Sequence, residues 1–227
     1  GRSALHYAIR EECNLRIIKC LLNCKETDVW LQDDTGMTAF NCAVWKLRKA
    51  IKAFLLSRKR LPVWVQDDSR ETPLSRLLHS AKPMNQDLVI ELFEHDKEAA
   101  KVNLQDSQGK TLLHLASSRG NMKVVHWLLE RDEIDPNVLD FKQQTPLFAA
   151  RNKEVIEALL AHPRTDPDLE NDIGCCSALS QYWTPNKDDK AIFQVLVRRV
   201  FLDMEYARLK RTELAFTSRY KNGIMVL

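Results

Sequence analysis

Two apolar rhythms alternate along this chain. One is helical: Val124, Val125, Leu128 and Leu129, or Leu47, Ile51, Phe54 and Leu55, recur at three- and four-residue spacing and predict amphipathic helices. Four such stripes end in paired leucines, Leu21-Leu22, Leu55-Leu56, Leu128-Leu129 and Leu159-Leu160. The other rhythm is a short extended segment running into an acid: Val29-Trp30-Leu31-Gln32-Asp33, Val63-Trp64-Val65-Gln66-Asp67, Val102-Asn103-Leu104-Gln105-Asp106 and Pro136-Asn137-Val138-Leu139-Asp140. After each acid comes a hydroxyl residue that opens a second, shorter helical stretch, as in Thr38-Ala39-Phe40-Asn41-Cys42-Ala43 and Thr111-Leu112-Leu113-His114-Leu115-Ala116. The hydroxyl recurs at Ser3, Thr38, Thr72, Thr111, Thr145 and Ser177, at spacings of 35, 34, 39, 34 and 32 residues. A period of that size marks a stacked-repeat architecture.

The recurring residues explain themselves physically. Ser or Thr at a helix start accepts an orphan N–H of the first turn. Pro73 and Pro146 then stand at the first helical position, where a missing N–H costs nothing. Gly36, Gly109 and Gly174 supply a positive φ for a tight turn. Ala8, Ala43 and Ala116 let the first helix of each unit approach its neighbours. One helix pair cannot bury its own apolar face, so neighbours must stack into a continuous core.

These segments resemble the Gly-x-Thr-Pro-Leu-His-x-Ala signature of the ankyrin-repeat family, over about residues 1–205. The resemblance implies an all-α solenoid of helix-turn-helix units joined by hairpin or extended fingers. The units are expected at 1–32, 33–66, 67–105, 106–139, 140–170 and 171–205, with a basic tail or capping segment at 206–227. Unit 1 starts at its turn glycine, so an upstream repeat or cap is expected. Unit 3 carries Arg70, and unit 5 Gln143, where the turn glycine belongs. The ends and unit 3 are expected to be the least regular. Asp135-Pro136-Asn137 and Asp166-Pro167-Asp168 also resemble long fungal ankyrin arrays, which are often joined to nucleotide-binding receptor-like domains.

Composition narrows the function. The chain has 227 residues and a formal net charge of +3, too small to imply a nucleic-acid or membrane partner by itself. No apolar run is long enough to span a membrane. The cysteines at 13, 20, 24, 42, 175 and 176 lie in helical patterns, which favours reduced, buried thiols and a cytoplasmic or nuclear location. Cys13, Cys20 and Cys24 share one helical stripe near His6, yet three cysteines on a stripe are more often buried hydrophobes than zinc ligands. No phosphate loop, metalloprotease helix or nucleophile elbow is present, so no cofactor, metal or catalytic residue is expected. His6 and His114 occupy the signature position and are expected to bond neighbouring backbone.

The favoured function is therefore a scaffold that binds another protein, either as a monomeric array or within a longer chain. The resemblance implies binding through a concave face of finger tips and inner-helix surfaces. At the tips these are Thr35 and Met37; Asp68, Ser69 and Glu71; Ser107, Gln108 and Lys110; Phe141, Lys142 and Gln144. On the inner helices they are Trp45, His79, Ser118 and Arg119. Phe141 is an apolar residue on an exposed tip that a monomer has no structural need for. Arg119 is likewise expected to be exposed. Trp30 and Trp64, in matching places, are expected to pack in the core. A basic run, Lys46, Arg48, Lys49, Lys52, Arg58, Lys59 and Arg60, is expected to coat a solvated helix face. Its sharper alternative, with the tail, is an anionic surface or nucleic acid; a second alternative is a regulatory module of a larger protein.

Overall fold

The computed structural model describes residues 1–11, 14–46, 51, 54–55, 60–79, 85–95, 101–167 and 169. The expected sixth unit, Cys175, Cys176, the tail at 206–227 and most of the basic run lie outside the described residues. The chain divides into two compact units, Gly1–Thr165 and Asp166–Leu227, and the first holds almost everything described.

That unit is built from helix pairs. The inner helices are α1 (Ala4–Arg10), α3 (Ala39–Lys46), α4 (Pro73–His79), α6 (Leu112–Arg119) and α8 (Pro146–Ala149). The outer helices are α2 (Leu15–Asn23), α5 (Asn85–His95), α7 (Met122–Leu129) and α9 (Lys153–Ala161). Each inner helix packs on the inner helices of adjoining units, and α5, α7 and α9 pack in sequence behind them. The core lies between the two layers: Leu5, Ile9, Phe40, Leu74, Leu77 and Leu113 from inner helices meet Ile18, Leu22, Val89, Leu92, Val125 and Leu128 from outer ones. Ala8, Ala43 and Ala116 are buried at the close approaches. Phe40 and Phe54 meet edge to face at 5.1 Å. The architecture is all-α. Strand character among the described residues is limited to one isolated bridge, Gln32 to Thr38.

Every inner helix starts the same way. The hydroxyls of Ser3, Thr38, Thr72, Thr111 and Thr145 accept the amides of His6, Asn41, Ser75, His114 and Phe148, three residues on. Helix α8 has only four residues because Ala150 turns extended, and Asn152 then caps α9 through the Glu154 amide.

Two expectations need correction, one for the cysteines and one for Trp30. Cys20 and Cys24 are exposed rather than buried. The inward stripe of α2 is Ile18 and Leu22, while Ile17, Cys20 and Cys24 share the solvent side. Cys42 alone of the described cysteines is a core thiol, its pKa raised by burial and the nearby Asp33. Trp64 is buried at 4% exposure under Phe93, ring centroids 4.8 Å apart. Trp30 is 37% exposed, with the Arg60 guanidinium 5.7 Å over its ring instead of a core partner.

Candidate interaction surface

Between each outer helix and the next inner helix the chain makes a finger, and an aspartate builds it. Asp33 Oδ1 accepts the amides of Thr35 and Met37 at 2.9 and 3.1 Å. Asp67 accepts those of Ser69 and Glu71, Asp106 those of Gln108 and Lys110, and Asp140 those of Lys142 and Gln144, all between 2.8 and 3.0 Å. The aspartate amide bonds the carbonyl four residues on in each finger. The residue three past the aspartate has a positive φ every time: Gly36 at 69°, Arg70 at 55°, Gly109 at 76° and Gln143 at 59°. The Asp side chain therefore imposes the turn, and Arg70 and Gln143 adopt it without being glycine.

Charge reinforces two fingers. Burial would raise the Asp33 pKa, but the Thr35 hydroxyl and amide, the Arg2 guanidinium and the Met37 amide outweigh it and hold the carboxyl well below the usual range. Asp67 pairs with Arg76 from its own inner helix. Asp140 Oδ2 is buried with no hydrogen-bond partner.

Adjacent fingers are tied twice. At the tips, the amides of Asp68, Ser107 and Phe141 donate to the carbonyls of Thr35, Ser69 and Gln108, at 3.2, 3.2 and 2.9 Å. At the bases, a glutamine ladder runs across. Gln32 Nε2 donates to Gly36 O in its own finger and to Gln66 O in the next. Gln66 repeats this with Arg70 O and Gln105 O, and Gln105 with Gly109 O and Leu139 O. The tip row is rigid because most of its backbone groups are spent within it.

The side chains above this frame face water. Thr35, Asp68, Ser69, Ser107, Gln108, Phe141 and Lys142 are exposed, while Met37, Glu71, Lys110 and Gln144 are half-buried. Phe141 is 63% exposed. Its ring also lies over the preceding turn, where a Cβ on Gly109 would stand 2.6 Å from Cδ1. That contact corrects the expectation that Phe141 has no structural part.

Glu71, His79 and Arg119 come together. Arg119 Nη1 donates to the His79 carbonyl at 2.7 Å, and Nη2 lies 3.4 Å from His79 Nδ1. His79 Nε2 stands 3.5 Å from Glu71, whose other oxygen is 3.3 Å from Arg76. Burial, together with Arg119, lowers the His79 pKa against the pull of Glu71. Arg119 is exposed yet bridges two units, a partner the sequence did not suggest. Ser118 is exposed, its hydroxyl donating to the Leu115 carbonyl. Trp45 falls on α3, its side chain outside the described residues.

Sequence reasoning missed Arg76 and Tyr7. Tyr7 is 54% exposed on α1, and its signal was a bulky aromatic between the buried His6 and Ala8. His6 is no free ligand for a metal: Nδ1 takes the Ser3 amide and Nε2 bonds the Met37 carbonyl at 2.9 Å. Among the described residues no group of three or more His, Cys, Asp or Glu is placed to hold a metal ion. No helix among them is long and apolar enough to cross a membrane.

Fold and surface together define a stacked helical-repeat protein that presents a row of linked fingers. Family models agree: a three-copy ankyrin-repeat model matches residues 77–171, and a single ankyrin-repeat model matches residues 1–34. This chain belongs to the ankyrin-repeat family, whose repeats are protein-interaction modules. It is 29% identical over 125 residues to human transient receptor potential cation channel subfamily A member 1, covering 54% of this chain and 11% of that protein. It is 29% identical over 165 residues to the mouse B-cell lymphoma 3 protein homolog, covering 70% of this chain and 34% of that protein. The chain thus spans about a third or less of these relatives' length. An ankyrin repeat domain from Acinetobacter baumannii superposes with a TM-score of 0.69 at 20% identity, covering 86% of this chain and 96% of that one. The ankyrin repeat domain of Bcl-3 gives 0.66 at 20% identity, covering 88% and 86%.

Proposed function

We propose that this chain is a scaffold that binds another protein through its finger tips and the adjoining inner-helix surface. The observation that carries this reading is the contrast between frame and side chains. Four tips are locked to one another through backbone, while Asp68, Ser107, Gln108, Phe141 and Lys142 above them are exposed. A platform ordered in advance loses little entropy on binding. Exposed aromatic side chains are the residue type that dominates such contacts.

Phe141 and Lys142 are the residues to change, since Arg119 also bridges units and its loss would confuse binding with stability. Immobilised wild-type chain and a Phe141→Ala/Lys142→Glu double variant are compared for proteins retained from source extract. A protein held by the wild type and lost by an equally stable variant supports the reading. Retention of the same proteins by both, or retention abolished by moderate salt alone, contradicts it.

A further inference from the structure

The histidine of the signature does more than cap its helix. His114 Nδ1 accepts the Thr111 amide at 3.1 Å, so its proton sits on Nε2, which donates to the Gln144 carbonyl of the next unit at 2.9 Å. His6 makes the same bridge to Met37. In the third unit Ser75 stands at this place. Its hydroxyl is too short for the bridge: it takes the Thr72 amide and donates to the Thr72 carbonyl, both at 2.9 Å. Beside Ser75 there is a small cleft, lined among others by Trp64, Thr72, Asp106 and Lys110. Two features make it polar. Trp64 is 4% exposed, and its Nε1 is buried with no hydrogen-bond partner. The Lys110 carbonyl corresponds to those of Met37 and Gln144, and its Asp106 bond leaves it one lone pair.

We propose that this cleft is a site for one ordered water, which accepts from Trp64 Nε1–H and donates to Ser75 Oγ and the Lys110 carbonyl. A buried water needs two to four polar partners, and these three groups supply them. The water couples the third and fourth units as the imidazole couples the first to the second and the fourth to the fifth. It also satisfies an indole N–H that is otherwise buried without a partner.

Water-selective NOE and ROE spectroscopy on the wild-type chain, with the Trp64 indole N–H assigned by its loss in Trp64→Phe, tests the site. The expected result is a dipolar cross peak between that N–H and a long-lived water. The cross peak disappears in Ser75→His, where the imidazole takes the water's place and restores the direct bond. An indole N–H with no water contact, or with exchange peaks alone, overturns the proposal in the wild type itself, even if Ser75→His fails to fold. A folded Ser75→His that keeps the cross peak overturns it as well.

Discussion

At His114 two units meet through a neutral ring. Burial lowers its pKa, against the pull of the Gln144 carbonyl and Asp140. The unfolded chain therefore binds the proton more readily than the folded one. The stability from this ring is fully present above the unfolded value, about 6.5, and is lost as pH falls through the folded one. Urea unfolding at pH 7.5 and 5.5 checks it: His114→Ala is expected to cost about 2 kcal/mol at the higher pH, with a smaller pH dependence than wild type. A variant with the wild-type pH slope would assign that slope to other groups. The backbone-bonding histidine was legible through the family resemblance, which puts His6 and His114 at the signature position. The finger aspartates were visible as recurring acids, but their task was not. A carboxylate three residues before a turn glycine looks like surface charge until its oxygen is seen to collect two amides. The stripe of Cys20 and Cys24 misled for a related reason. Paired Leu21 and Leu22 allow two phases for α2, and only contact with the neighbouring helix chooses between them.

The finger as an element separates two reasons for glycine. Gly36 and Gly109 have a positive φ and also meet the next finger, where a Cβ would stand 2.8 and 2.7 Å from the amide nitrogens of Asp68 and Phe141. Arg70 and Gln143 have the φ without glycine, at a cost of about 1 kcal/mol each. Gly109→Ala is therefore expected to destabilise by about 2–3 kcal/mol, while Gln143→Ala stays within about 0.5 kcal/mol. Thermal unfolding of the two variants measures this, and equal losses would mean that φ alone sets the requirement. Helix starts and outer-helix stripes were legible as capping hydroxyls and three-four spacing. The four-residue length of α8 was hinted at only by the short Arg151-Asn152-Lys153 connection. The different fates of Trp30 and Trp64 were not legible at all. They follow from Phe93, an outer-helix residue far away in sequence, which covers one ring and not the other.

Over the whole stack, stability is a sum of neighbour terms, and the glutamine ladder is one of them. Gln66 holds its own finger and the next through Arg70 O and Gln105 O. Gln66→Ala is expected to cost about 1–2 kcal/mol and to speed hydrogen exchange in fingers 67–71 and 106–110 before it touches α9. Uniform acceleration along the chain would show that the ladder is not local. At position 139 a leucine follows the three glutamines, so the ladder stops at the fourth finger. The frame it makes is the basis for placing a protein partner on the tips. Hydrogen exchange of the chain alone and with the protein that it retains from extract tests that placement most directly. Added protection at 34–37, 68–71, 107–110 and 141–144, with α5, α7 and α9 unchanged, is the predicted result. Protection confined to those outer helices, with the tips exchanging as in the free chain, would contradict it.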